Sequence, residues 1–472
     1  MGLQAVPHNI ASRRLALVPG RYVAWALFVW VFLWDNARTL PGLADASLTS
    51  VVSIPTSLRF VEVGIVIFLF IIAVLNSQRW QEASRNGVVF IFCFLLLSIT
   101  SIIIAALSQL THVIAALQMV YSFVAPLLVV GIIGMLPSRS HDPEDILKAL
   151  VVVVGVSAFV AWWQVIHLHA FGDDVHGAMR DAHHFASAVW IVTLWWIARL
   201  SSGIGSPIRN ILGIIFFVPV ALHAANEKSN VAVAIVLLTA MAVYLWKRGR
   251  IYRITICATI LCAPFIGRAV STGQIQLPYS FGHLQLALDN LSSIGFFKGY
   301  GKALSVTKEY PRVLVLGTGP ASYGSIKAVD GIATGGDIPP LAEEYTADSY
   351  RIIYAANGLL GSYLEESTDL SAFFVELGPV ALFLFGSAVW FLVIKPARRA
   401  AQGQDARHVA MGRWVVWSTS FTLTMSTFTA FYGWAAIQAT VWPIMIVAGM
   451  LQSQVILGAD TTPEMESLAT PV

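Results

Sequence analysis

Apolar stretches long enough to cross ~30 Å of hydrocarbon recur along almost the whole chain. The loops between them alternate in basic charge. The stretches lie near 22–40, 58–76, 87–108, 114–136, 146–168, 184–200, 208–224, 230–246, 251–267, 371–394, 413–432 and 436–456. Only 12% of the 472 residues are charged, about half the ~25% of a soluble domain. That leaves too little polar surface to cover a water-soluble fold, so the solvent is largely lipid. The expected fold is an all-α integral membrane protein of about twelve transmembrane helices.

Basic residues occupy every second loop. Arg13, Arg14 and Arg21 precede the first stretch, and Arg79 and Arg85 follow the second. Arg139 and Lys148 come next, then Arg199 and Arg209, then Lys247, Arg248, Arg250 and Arg253. The densest group is Lys395, Arg398, Arg399, Arg407 and Arg413. Cytoplasmic loops carry such an excess, so this register puts both termini inside. It divides the chain into helices 1–9 over 1–267, a large outer loop over 268–370, helices 10–12 over 371–456, and a polar tail over 457–472. The first span is expected to be retained, because no small-residue cleavage site follows it. Asp142 is expected to cap the fifth helix, with Pro143 at its first position.

Polar groups gather in three outward segments: FGDDVHGAMRDAHH at 171–184, NEKSN at 226–230, and the large loop. The last carries Arg312, Lys327, Glu343, Glu344, Asp348, Arg351, Glu365, Glu366 and Asp369. Cations there suit an anionic head group, and carboxylates suit proton transfer. The same residues also fit a plainer reading as solvated helix ends. His183 and His184 are adjacent and point apart on a helix, and no ligand triad completes them, so no metal is expected. Glu62 is read as an interface ion pair with Arg59, and Trp162, Trp163, Trp195 and Trp196 as an aromatic belt. Cys93, Cys257 and Cys262 all lie in apolar runs, which argues against a disulfide framework.

The stretch LVLGTGPASYG, at 314–324, looks like a dinucleotide-binding turn. Pro320 after the second glycine and Ser322 in place of the third glycine argue against that reading, as does the loop-like IKAVDGIATGGDIPP that follows. No P-loop Gly-Lys-Ser/Thr is present either. What remains is a tight bend in which Gly317 and Gly319 allow positive φ and close backbone approach. Its N–H groups are candidates to meet an anion. No cofactor and no nucleic-acid partner are expected.

Four segments, in order, resemble the O-antigen ligase and O-antigen polymerase (Wzy-type) superfamily of bacterial inner-membrane proteins. QVIHLHAFGDDVHGAMRDAHHFA, from Gln164 to Ala186, is similar to the family's Q…G-(S/T)-F-x-x-P-N-x-(F/L)-A passage. NEKSNVAVAI resembles its T-x-S-R-G-A segment, and LGTGPASYG its G-x-G-P-G-x-(F/Y) signature. YLEESTDLSAFFVELGPVALFLF resembles the H-N-x-(Y/F)-L…E-x-G-x-x-(G/A) passage before the tenth span. The resemblance covers roughly residues 160–395. It implies a GT-C-like membrane glycosyltransferase of the bacterial inner membrane. Such an enzyme takes glycan from an undecaprenyl-diphosphate carrier without a metal, inverting the anomeric centre. Its partners would be that lipid-linked glycan, the bilayer and a chain-length regulator.

Departures from the family pattern shape the expected roles. The ligase histidine would fall at Ser367 and its asparagine at Thr368. The arginine of S-R-G-A would fall at Asn230. The catalytic set expected is therefore Glu366, Asp369 and Arg351, with Arg180, His183, Lys228, Gly317 and Gly319 binding substrate. Lacking the ligase histidine, the chain is read as a polymerase of an O-antigen or exopolysaccharide repeat. A ligase acting on lipid A-core, or a transporter or lipid-linked flippase, is the alternative. A flippase would be expected to carry inverted repeats and midplane charges.

Overall fold

The computed structural model describes residues 20–36, 57–76, 82–135, 143–170, 174–179, 182–224, 227–249, 295–323, 368–428 and 438–459. Among these the chain is helical, with no β-strand. The first eight helices are α1 (Gly20–Asn36), α2 (Ser57–Asn76), α3 (Glu82–Leu107), α4 (Val113–Met135), α5 (Glu144–His167), α6 (Ala182–Ser201), α7 (Pro207–His223) and α8 (Glu227–Arg248). Then come α9 (Gly295–Glu309), α10 (Asp369–Glu376), α11 (Gly378–Val389), α12 (Lys395–Ala400), α13 (Ala406–Phe428) and α14 (Gln438–Ala459). A π-turn, Trp390–Ile394, joins α11 to α12. The apolar stretch 251–267 lies outside the described residues.

Five described helices are long and apolar enough to cross a membrane: Arg85–Leu107, Val113–Met135, Glu144–His167, Lys228–Trp246 and Gly378–Ala400. Their burial separates two environments. The window in α4 is 72% buried, whereas that in α3 is 33% and that in α8 only 22%. So α4 has protein on nearly every side, while α3 and α8 turn apolar faces outward. Phe92, Leu107, Phe159, Ile208 and Phe383 are exposed on such faces. In water this would be a very large apolar patch; in a bilayer it is the ordinary lipid-facing surface.

The centre of the bundle is the α4–α14 pair. Small residues let the backbones close. A Cβ on Gly134 would press on Gln452, and one on Gly449 on Ile133. Close contact through small residues gives dispersion without a hydrophobic driving force, as helix pairing in lipid requires. A second hub is α13, which packs against α6, α8, α10 and α14. It runs antiparallel to α6: Trp414 Nε1 donates to Ile191 O at 2.9 Å, and Arg413 Nη1 to Ser201 O at 2.7 Å.

One end of the bundle is basic and tightly paired. Arg199, in the last turn of α6, donates to Glu144 Oε1 at 3.0 Å and to Asn210 Oδ1 at 3.3 Å. Its guanidinium also lies 5.5 Å from the Trp195 ring centre and 5.7 Å from that of Trp196. One side chain thus ties α5, α6 and α7. Trp195, expected in an interfacial belt, is only 3% exposed and packs edge-on to Trp414. Its ring serves an internal cation rather than a lipid headgroup.

Two local expectations change, and one buried carboxylate gains unforeseen partners. Helix α5 begins at Glu144, and Pro143 occupies the cap position with no side-chain cap bond. Asp142 lies outside the described residues. Glu62 is buried and accepts from Trp30 Nε1 at 2.9 Å and Tyr121 Oη at 3.0 Å. Those two donors tie α2 to α1 and α4; the side chain of Arg59, the partner expected for Glu62, lies outside what the structure describes. Finally, the stretch at 371–394 is two helices. The chain breaks after α10, at Gly378 with φ +85°, and the membrane-length helix starts there.

Candidate functional site

The opposite end of the bundle carries the motif segments. There α6, α8 and α10 all begin, and α13 ends. Thr368 caps α10 with a reciprocal box. Its Oγ1 accepts from Ser371 N at 3.1 Å, while Ser371 Oγ accepts from Thr368 N at 2.9 Å. This satisfies amides that a helix start leaves open.

Asp369, the next residue, is buried and contacts the end of α13, where Ser426 Oγ donates to its Oδ2 at 3.4 Å. Burial pushes its carboxyl well above the ordinary carboxylate range, against the opposing bond from Ser426. Tyr300 of α9 stands beside it. Thr368 Oγ1 donates to Tyr300 Oη at 3.3 Å, and Tyr300 Oη donates to Thr427 O at 3.3 Å. Burial raises the Tyr300 phenol; the Thr368 bond opposes this, and the Asp369 charge adds to it. The result is a buried carboxyl whose charged form is disfavoured, set beside the hydroxyls of Ser426 and Tyr300.

At the far end of α10, the glycine turn grips Glu376. Ala321 N donates to Glu376 Oε2 at 2.6 Å and Tyr323 N to Oε1 at 2.9 Å. Thr318 N donates to Val375 O at 2.9 Å and Gly319 N to Glu376 O at 3.0 Å. The turn is a nest for an anion, but the anion it holds is the protein's own buried carboxylate. Gly317 (φ +70°) and Gly319 (φ +118°) make this possible. A Cβ on Gly317 would collide with the Glu376 carbonyl, and one on Gly319 with Ala105 of α3. Ser101 Oγ, donating to Leu316 O at 2.6 Å, and Thr111 Oγ1, donating to Pro320 O at 2.5 Å, pin the turn to the α3–α4 corner. The turn's N–H groups were candidates to meet an anion; those of Thr318, Gly319, Ala321 and Tyr323 are committed inside the protein.

Just before this turn, Arg312 sits on the 3-10 turn Pro311–Leu314, which packs against α10. Its Nε is buried with no hydrogen-bond acceptor among the described residues. A guanidinium in that state is a strong pointer to an external anion, because an unpaired buried donor is costly.

The segment 174–179 folds back along α5. Gly177 N donates to Gln164 Oε1 at 2.9 Å, and Ala178 N to Ser157 Oγ at 2.9 Å. Ser157 lies ten residues before the end of α5 at His167, roughly 15 Å of helix rise. Non-helical backbone at such depth survives only when protein covers it, and Val175, His176 and Met179 are indeed buried. His183 lies in the first turn of α6 and Lys228 in that of α8, both half-buried. Trp190 Nε1 donates to Asn230 Oδ1 at 2.8 Å and joins these two helices.

Of the expected site residues, the structure brings Asp369, Gly317 and Gly319 to α10, and puts His183 and Lys228 at neighbouring helix starts on the same end. Arg180, Arg351 and Glu366 lie outside the described residues. Glu376 and Arg312 take parts that sequence reasoning did not assign them. The only hint for Glu376 was its place in the E-x-G segment, two residues before Gly378.

These features define a polytopic α-helical membrane protein with a buried acid and an unmatched cation at one end. No protein-family model matches the chain, and no curated protein matches its sequence.

Proposed function

We propose that the protein is a membrane glycosyltransferase that polymerises a surface polysaccharide, an O-antigen or exopolysaccharide, from an undecaprenyl-diphosphate-linked donor. The basic end faces the cytoplasm of a bacterial inner membrane, and the α10 end faces outward. The observation that carries the reading is the pairing of roles around α10: a buried carboxyl at Asp369 and a buried Arg312 Nε with no acceptor among the described residues. Glycosyl transfer from a lipid diphosphate needs both. A base takes the proton of the attacking hydroxyl, and a raised pKa tunes a carboxyl for that work. A cation offsets the charge that develops on the departing diphosphate. The starts of α6, α8 and α10 on this end add positive dipole ends to the same region.

In this reading the ionised form of Asp369, present once pH exceeds its raised pKa, accepts the acceptor's hydroxyl proton as oxygen attacks the anomeric carbon from the face opposite the diphosphate. The bond to the diphosphate breaks, and Arg312 receives the leaving charge; Lys228, at the start of α8, is a second cation proposed for substrate binding. Glu366, Arg351 and Arg180 remain candidates for the same work. The test is the glycolipid profile of a deletion strain complemented with Asp369→Asn or Arg312→Ala. Loss of long chains, with single repeats retained and normal membrane levels of protein, is expected. Normal polymer from both variants overturns the assignment. Accumulation of unattached long polymer in the deletion strain would identify a ligase instead.

A further inference from the structure

The basic end of the bundle holds a second arrangement of charge, on its outer surface. There the membrane-length run Gly378–Ala400 is interrupted by the π-turn Trp390–Ile394. Pro396 follows and has no N–H to offer the carbonyl four residues back. Just ahead of it the ladder slips by one residue, and Lys395 N donates to Trp390 O. Single π-turns of this kind gather at functional sites.

Two cations lie over two neighbouring rings at this turn. Lys395 Nζ is 5.2 Å from the Phe391 ring centre, and the Arg398 guanidinium is 5.5 Å from that of Trp390. Phe391 is itself stacked on Phe90 of α3, with ring centres 5.5 Å apart and planes 12° from parallel. Helix α3 comes close here because Gly87 has no side chain where Leu392 packs. The platform under the cations is therefore built from two helices. Its outer side faces lipid: Trp390 is 43% exposed, and Phe383, two turns earlier on the same face, is 67% exposed.

Cations inside this end are treated differently. Arg199 also lies over indole rings, but Glu144 and Asn210 accept from its N–H groups, and Ser201 O accepts from Arg413. Lys395 and Arg398 meet rings alone, and among the described residues no oxygen accepts from either. A ring face answers their charge within the protein but leaves their outward N–H donors open. A guanidinium fork grips phosphate through two bonds, and an ammonium adds a point charge.

We infer that Lys395 and Arg398, on the platform of Trp390, Phe391 and Phe90, bind the phosphate of an anionic phospholipid in the leaflet at the basic end. Its acyl chain lies along the exposed strip of Trp390 and Phe383. Two features select this occupant. The phosphate supplies the oxygens that both cations lack, and the apolar strip beside them suits a molecule with chains. Two cations with no carboxylate bound to either favour a lipid of net negative charge over a zwitterionic one. The inference rests on the membrane class of the fold and does not involve glycan transfer.

The test melts the full chain in neutral detergent with added phosphatidylglycerol, phosphatidylcholine or inorganic phosphate. Native mass spectrometry counts the lipid retained. Phosphatidylglycerol is expected to raise the melting temperature in a saturable way, while phosphatidylcholine and phosphate leave it in place. Lys395→Gln and Arg398→Gln should each raise the half-saturating lipid concentration about fivefold, and the double variant should retain less phosphatidylglycerol. Arg398→Lys, which keeps the charge and loses the fork, should fall between the parent and Arg398→Gln. Arg209→Gln, an exposed cation elsewhere at this end, should match the parent. Equal stabilisation by the two lipids overturns the site. So does equal weakening in Arg209→Gln, because the lipid would then sense only the summed field of the basic end. Stabilisation by inorganic phosphate as large as that by phosphatidylglycerol overturns the lipid as occupant. Variants at Lys395 and Arg398 that melt lower without lipid, yet keep the parent's half-saturation, overturn the head-group role.

Discussion

The two ends of the bundle treat charge in opposite ways. At the basic end cations are answered within the protein. Arg199 has a carboxylate, an amide oxygen and two indole faces, and Arg413 has the carbonyl of Ser201. Lys395 and Arg398 lie over Phe391 and Trp390. At the α10 end, among the described residues, Arg312 has no acceptor for its Nε, and Asp369 receives a hydrogen bond from the Ser426 hydroxyl. Closed charge clusters hold helices together, whereas open ones are poised for a ligand. The comparison also separates two carboxylates on one short helix. Glu376 is locked by backbone amides as structure, while Asp369, seven residues earlier, is left protonatable.

Several substitutions would break or sharpen this contrast. The largest effect is expected at the closed end. Arg199→Ala or Glu144→Ala removes one side of a largely buried ion pair and should cost about 3–5 kcal/mol. Loss of folded protein in a detergent thermal melt checks this. Next comes Glu376→Ala, which strands the amides of Ala321 and Tyr323 and should cost about 2–5 kcal/mol. Proteolysis opening at 310–323 would be its local signature. If that variant melts like the parent, the turn is not held by the carboxylate.

Asp369 offers a pH test. Its ordinary value is 3.8 and its folded value lies well above that. Between the two, the unfolded chain is ionised while the folded chain keeps its proton. Stability due to this group is therefore full below the ordinary value and declines as pH rises toward the folded one. Asp369→Asn should flatten that decline, and a melt series across acid to neutral pH would show it. A slope of the opposite sign would mean that the carboxyl is ionised when buried.

Arg312→Ala should cost less than about 1 kcal/mol in stability, since no protein contact to its Nε is lost. The same variant is expected to lose polymer, which would separate open from closed charge directly. Ala321 has φ +58°, a conformation that costs an alanine about 1–2 kcal/mol. Ala321→Gly should thus be neutral or slightly stabilising in the same melt, unless the added chain freedom offsets the relief.

The helical membrane class was legible in the chain because a span needs only length and apolar composition, which are local properties. The position of the glycine turn was also legible, from the unusual residues at Gly317 and Gly319. What those residues do was not. Glycines in a tight bend suit an external anion as well as an internal one, and only the fold shows Glu376 filling the nest from more than fifty positions away. Trp195 likewise reads as a belt residue until Arg199 and Trp414 are seen around it. The break at Gly378 was hidden because α10 and α11 together form one continuous apolar run.

The sequence by itself determined the solvent of this protein and the alternation of its basic loops, since hydropathy and charge act residue by residue along the chain. Tertiary structure decided which charges are spent and which are left over. Pairing depends on side chains meeting across helices, and burial then decides whether an acid such as Asp369 keeps its proton.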